Sequence, residues 1–158
     1  MIKNTARSLS IIIMIIMFSL AFAPGNASAQ VAADQITGIW LNEDKDAHVE
    51  IENRDGKYYG KIVWLKTPID EATGKAKLDN KNPDATLQKR PLMGLQLLSE
   101  FVFDGDDEWE SGTVYDPKSG KTYSCYMEFT DKTKNKLKVR GYIGISLLGR
   151  TTYWTRVE

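Results

Sequence analysis

The chain has 158 residues, 42% of them hydrophobic and 27% charged, with 21 Lys+Arg balanced by 21 Asp+Glu, the composition of one ordinary globular domain. That balance excludes a binding surface of the nucleic-acid type, which needs a strong excess of basic charge. A single cysteine, Cys125, excludes an intramolecular disulfide, and one histidine, His48, far from it in sequence, gives no zinc-ligand spacing.

Residues 1–29 carry Lys3 and Arg7, an apolar run from Leu9 to Ala23, the helix-breaking pair Pro24-Gly25 and the small-residue end Ala27-Ser28-Ala29. This is the layout of a cleavable signal peptide, with Gln30 opening an exported mature chain, periplasmic or secreted. The apolar run is shorter than the roughly 20 residues a spanning helix needs. No later run is long and apolar enough, so no membrane span is expected in the mature chain. The removed segment holds two cations and no acid, which leaves the mature chain close to neutral.

From Gln30 onward the patterning has period 2. Val49 and Ile51 alternate with His48, Glu50 and Glu52; Leu137 and Val139 alternate with Lys138 and Arg140; Thr151, Tyr153, Thr155 and Val157 alternate with Thr152, Trp154 and Arg156. Asp55-Gly56 is a two-residue hairpin signal between two such runs. Asp104-Gly105-Asp106-Asp107, Asp116-Pro117-Lys118-Ser119-Gly120 and Asp131-Lys132-Thr133-Lys134-Asn135 are further turns. Strands are therefore expected near 37–42, 47–54, 57–65, 96–104, 109–115, 121–130, 136–143 and 150–157. The apolar, glycine-bounded segment 143–149 either prolongs a strand or bends into the last one.

Short consecutive hairpins favour an all-β, single antiparallel up-and-down barrel of about eight strands, which removes exposed edges by closure. Two packed sheets without closure are the alternative. The domain map is a signal peptide over 1–29 and one β-barrel domain over 30–158. Its long loop at about 66–95 contains Pro68, Pro83 and Pro91. Loops of that length are commonly functional or mobile, so anything specific to this chain is sought there first. The expected inward set is Val49, Ile51, Ile62, Tyr123, Met127, Phe129 and Val139, and Cys125 shares the phase of Tyr123 and Met127, which makes it a buried, inert thiol.

Catalytic signals are missing. His48 alternates with Glu50 and Glu52 on a polar strand face, and neither a Gly-x-Ser-x-Gly motif nor a Gly-rich phosphate loop accompanies it. The run Asp79-Asn80-Lys81-Asn82-Pro83-Asp84 fails the calcium-loop template, with lysine at its third position and no glycine. Asp104 to Glu108 suits an ordinary turn. No enzyme activity, cofactor or metal is expected. Trp40, Trp64, Trp109 and Trp154 are the aromatic residues with the polar handle that suits a cavity wall or a barrel end.

Several runs resemble one family of exported bacterial proteins, the domain-of-unknown-function 2147 family. They are Gly38-Ile39-Trp40-Leu41, Asn82-Pro83 with Arg90-Pro91-Leu92-Met93-Gly94-Leu95, Trp109 through Pro117 with Gly120-Lys121-Thr122-Tyr123, Leu137 through Gly144, Gly149-Arg150-Thr151 and Trp154-Thr155-Arg156. The resemblance spans essentially the whole mature chain and implies a small exported β-barrel without assigning an activity. A broader likeness is to lipocalin-type barrels, in which a Gly-x-Trp strand packs its tryptophan under an arginine of the last strand. Gly38-x-Trp40 fits the first half, and Arg150 or Arg156 supplies the second as a cation-π contact.

The reading that results is a non-enzymatic envelope module that binds a small apolar or amphipathic ligand in the barrel. The alternative is a structural or protein-interaction module of the envelope. The candidate ligand residues are Arg90, Arg140, Arg150 and Asn82, whose polar groups suit an anionic end, with Trp64 and Trp109 as an apolar wall. Gly38, Trp40, Trp154 and Arg156 are assigned the structural role of closing the barrel.

Overall fold

A computed structural model describes residues 32–157. The expected signal peptide, residues 1–29, lies outside the described residues. The first named element among the described residues is a short 3-10 turn, Asp34–Ile36, followed closely by strand β1, Gly38–Leu41. Strands β2, Ala47–Arg54, and β3, Lys57–Leu65, form the hairpin that Asp55-Gly56 announces. Asp55 and Gly56 have φ of 54° and 83°, the pair of positive angles that a tight primed turn requires, and the Gly56 amide donates to Asn53 Oδ1 at 2.9 Å.

The long connection after β3 contains a small hairpin of its own, β4, Ile69–Asp70, with β5, Lys75–Ala76. The chain then runs through β6, Gln96–Phe103, β7, Glu108–Asp116, β8, Lys121–Phe129, β9, Lys136–Tyr142, and β10, Gly149–Arg156. Segment 143–149 bends into the last strand: residues 143–148 form a projecting hairpin loop after β9, and Gly149 opens β10.

Eight strands close into one antiparallel barrel in the order β1-β10-β9-β8-β7-β6-β3-β2. Every neighbour pair is antiparallel, and the ring closes where Trp40 pairs with Arg156 and Leu41 with Thr155. The two-sheet alternative is thereby excluded. One end of the barrel carries the 3-10 turn and the β2–β3, β6–β7 and β8–β9 turns. The other end carries the β1–β2 turn, the long loop, the β7–β8 turn and the β9–β10 hairpin.

The interior follows the expected phase. Val49, Ile51, Ile62, Met127 and Val139 are buried, Tyr123 and Phe129 are half-buried, and Trp40, Tyr58, Leu98, Phe101, Trp109, Leu137 and Trp154 complete the core. Two inward glycines make room for large neighbours. A Cβ on Gly60 would stand 2.7 Å from the Leu98 side chain, and one on Gly112 only 2.4 Å from the Phe101 ring. Leu98 and Phe101 are both on β6, so this strand leans inward over the bare backbones of β3 and β7 and fills the middle of the barrel.

Two outcomes follow. Gly112→Ala should lower stability by about 2 kcal/mol, because the new methyl meets a fully buried ring in a packed core; urea unfolding measures it, and an unchanged midpoint would contradict the packing. Burial pushes the Cys125 thiol up to about 12, so a thiol-specific reagent at pH 8 should leave the folded protein unlabelled and modify it fully once denatured.

Candidate functional site

The end of the barrel that carries the 3-10 turn is built on four side-chain anchors. The indole Nε1 of Trp40 donates to the Ile36 carbonyl at 2.9 Å, and that of Trp109 donates to the Ala33 carbonyl at 3.1 Å. The Tyr58 hydroxyl and Asn53 Nδ2 both donate to Asp34 Oδ1, at 2.7 and 2.6 Å. Buried tryptophan and tyrosine are stable only when their polar tips find partners. Here the partners belong to one short turn, which is thereby fixed across part of the barrel end.

Arg156 completes the same end. Its guanidinium carbon lies 4.2 Å from the centre of the Trp40 ring. Its nitrogens donate to the carbonyls of Thr37 at 2.8 Å, Gln35 at 2.6 Å and Lys134 at 3.2 Å. Gly38 has φ of 119°, and a Cβ there would come within 3.0 Å of Arg156 Nη1, so glycine is needed for both backbone and space. Of the two arginines that the sequence leaves open as the partner of Trp40, Arg156 takes the place. Gly38, Trp40 and Arg156 thus meet at the closure, and Trp154 is core.

The turn does not fill the whole end. Beside it opens a concavity of about 320 Å³, with Phe103, Trp109 and Phe129 against it. The three rings touch: Phe103 and Trp109 have centroids 4.9 Å apart, and Trp109 and Phe129 meet edge to face at 5.2 Å. Asp106 and Asp107 of the β6–β7 turn form one rim, and Asp131, Lys132 and Lys134 of the β8–β9 turn form the other, with Ala32 and Gln35 between them. Burial, followed by the carboxylates of Glu128 and Glu110, pushes Glu108 above its ordinary range at the edge of the acidic turn. The arrangement offers an apolar aromatic wall beneath a rim of both charge signs, which suits a small ligand with an apolar body and a polar end.

At the opposite end, the β1–β2 and β7–β8 turns lie on opposite sides of the ring in strand order. Lys118 joins them, with Nζ 2.6 Å from Asp44 Oδ2 and 3.1 Å from Asp46 Oδ2. The hydrogen bond to Asp44 leads the interactions that hold the Lys118 ammonium above its usual value. The long loop lies at this end, so it does not cover the aromatic concavity.

Most of the expected ligand residues are engaged elsewhere. Arg90 and Asn82 do come together, around a residue the sequence reading passed over. Asp79, with no exposed surface, accepts Arg90 Nε and Nη2 on Oδ2 at 2.9 and 2.8 Å, Asn82 Nδ2 on the same oxygen at 2.8 Å, and the Tyr115 hydroxyl on Oδ1 at 2.5 Å. The cluster knits the loop onto β7 and leaves the Arg90 charge neutralised. Arg140 donates to the Ser146 carbonyl and, at 2.8 Å, to Thr151 Oγ1. Arg150 stands exposed on the opposite strand face, since it is Thr151 that pairs with Arg140. The pooled anion site expected of the three arginines is therefore not assembled. Trp64 also departs from the expectation. The register between β2 and β3 skips Val63, so Trp64 lies outside the barrel, stacked on His48 at 4.4 Å. Trp109 alone of the set lines the concavity.

The comparisons with known proteins agree with this architecture. The model of a family described as "Uncharacterized protein conserved in bacteria (DUF2147)" matches residues 38–156. Among solved structures, the chain is similar to protein HP1028 from the human pathogen Helicobacter pylori, described as belonging to the lipocalin family. The two share 26% identity with a TM-score of 0.65, over 78% of this chain and 83% of that one. No curated protein matches the chain significantly.

The Asp79 cluster gives a pH-dependent outcome. Burial works to raise the Asp79 carboxyl, but Tyr115, Asn82 and Arg90 together outweigh it and hold the group below its ordinary value. A depressed folded pKa stabilises above the unfolded value and loses that contribution as pH falls through the folded one. Asp79→Asn should cost about 2 kcal/mol at pH 7, less than a fully buried pair because Arg90 reaches solvent. The difference from wild type should shrink below about pH 4; urea midpoints at pH 7 and pH 3 check it, and an equal loss at both would assign the effect to shape alone.

Proposed function

The chain belongs to the DUF2147 family, and on that footing we propose that it is an exported, non-enzymatic module that seats a small apolar or amphipathic ligand at the aromatic end of its barrel. The observation that carries this reading is the contact of Phe103, Trp109 and Phe129 against a concavity of about 320 Å³. Barrels of eight strands have an interior just wide enough to fill with side chains or to hold one small ligand. In this barrel the middle is filled by Leu98 and Phe101 over Gly60 and Gly112, which moves the binding place to the end. The lipocalin-like fold supports the same class of function. The N-terminal layout supports export.

In this role each wall has a task. The partly exposed rings of Phe103 and Phe129, backed by buried Trp109, take the apolar body of the ligand by area burial, and the rigid anchoring of the 3-10 turn keeps the wall from collapsing when empty. The polar end meets Lys132 and Lys134 on one side or Asp106 and Asp107 on the other. The alternative expectation, an interaction module of the envelope, draws support from exposed side chains at the opposite end of the barrel.

The fluorescent probe 1-anilinonaphthalene-8-sulfonate should bind the wild-type protein with enhanced emission. Lys132→Glu, which reverses the rim charge available to the probe's sulfonate on an exposed turn, should weaken binding by about tenfold while leaving the unfolding midpoint unchanged. Probe binding that is the same in both proteins would sink the assignment. Intact mass of the protein from its own cells should show a chain beginning at Gln30, with a co-purified small molecule in native spectra.

A further inference from the structure

The β9–β10 hairpin presents the most exposed large apolar side chains among the described residues: Ile143 at 65%, Ile145 at 58%, Leu147 at 82% and Leu148 at 68%. Four such residues within six positions form a contiguous apolar tip, which is uncommon on a monomer surface without a partner. The backbone beneath them is largely paired. Ile143 N donates to the Leu148 carbonyl at 3.1 Å, and Leu148 N donates to the Ile145 carbonyl at 3.0 Å. The Ser146 carbonyl accepts Arg140 Nε at 2.9 Å and also its Nη2, which lies 3.4 Å from the Leu147 carbonyl. A segment that leaves water must satisfy its backbone internally. Arg140 does so here, holding the carbonyls inward while the aliphatic chains point out.

Charge identifies the occupant. The cations beside the tip are Arg140, near the end of β9, and Arg150, near the start of β10, and no Asp or Glu lies between Lys132 and Val157; at the same end of the barrel Asp44 and Asp46 are held by Lys118. Arg140 and the exposed Arg150 stand at the base of the apolar tip. The acids that touch this hairpin come from outside it: Glu128 on β8, paired with Lys138 at 2.5 Å, and Glu43 in the β1–β2 turn, which accepts the Tyr153 amide at 3.3 Å. Neither meets Arg140 or Arg150. A protruding aliphatic tip has no groove or aromatic pocket to recognise a protein by shape. Together with cations at its base, it matches a bilayer interface, in which apolar side chains enter the acyl boundary and basic groups stay level with anionic headgroups.

We infer that the β9–β10 hairpin, through Ile143, Ile145, Leu147 and Leu148 with Arg140 and Arg150 beneath them, docks the protein peripherally on anionic lipid membranes. The docking tip and the aromatic concavity lie at opposite ends of the barrel, so a docked molecule keeps the concavity turned away from the bilayer.

The test is co-sedimentation of the chain lacking residues 1–29, which keeps every residue of the barrel, with sucrose-loaded vesicles. Vesicles of phosphatidylethanolamine with phosphatidylglycerol should bind it, and binding should fall with added salt. Vesicles of phosphatidylcholine alone should bind at least about fivefold more weakly. Leu147→Ser with Leu148→Ser should reduce partitioning by about tenfold or more without changing the unfolding midpoint or probe binding at the concavity, since both side chains are exposed. Arg150→Glu should weaken binding to the anionic vesicles only. Three results would each overturn the proposal: no sedimentation with anionic vesicles, equal sedimentation of the double-serine variant, or a dimer that this variant dissolves without any vesicle binding.

Discussion

The closure of β1 on β10 is the constraint on which the rest of the molecule depends. It is made by a planar cation lying on an indole ring: Arg156 over Trp40, with Gly38 supplying the space. The contact combines attraction to the ring face with three hydrogen bonds to the carbonyls of Gln35, Thr37 and Lys134. Lysine could supply the charge but not the flat fork. Without closure, β1 and β10 would be two open edges, the 3-10 turn would lose the Gln35 carbonyl contact, and the wall of the aromatic concavity would lose its neighbour.

The two ends of the barrel have different chemistry, and both follow from how the turns are made. At one end, tryptophan, tyrosine and asparagine side chains bind a helical turn by its backbone and by Asp34, leaving an aromatic recess at its side. At the other, Lys118 ties opposite turns together through Asp44 and Asp46, and the long loop is stitched to β7 by buried Asp79. The first end is apolar with a charged rim; the second is polar, apart from the β9–β10 tip.

The strands and turns were legible in the sequence because short-range rules govern them. Period 2 places Val49, Ile51, Met127 and Val139 inside, and Asp55-Gly56 can scarcely be anything but a tight turn. What could not be read depends on irregularities that carry no local mark. Glu100 and Ser111 have φ of 63° and 61° though neither is glycine; they sit between Leu98 and Phe101 and between Trp109 and Gly112, and they keep those four residues facing inward despite the odd spacing. One skipped residue between β2 and β3 likewise moved Trp64 to the outside. Asp79 was invisible because a carboxylate in a Pro- and Asn-rich run looks solvated until three donors are seen to converge on it. Arg90 and Arg140 share no local mark that tells a ligand contact from an internal one: a buried carboxylate takes the first guanidinium and a backbone carbonyl the second.

The strand order also sets the sequence of events by which the chain acquires its shape. Apart from β3 with β6, which the long loop separates, each neighbour pair but one is joined by a short turn and can zip locally at little entropic cost. The exception is β1 with β10, whose ends are separated by almost the entire described length. A pairing so remote in sequence carries a large loop-closure cost, and it is what turns the locally paired meander from β1 to β10 into a ring. With Arg156 over Trp40 sealing that seam, the barrel itself has no strand edge for another chain to add to, and the small β4–β5 hairpin is the open sheet that remains among the described residues.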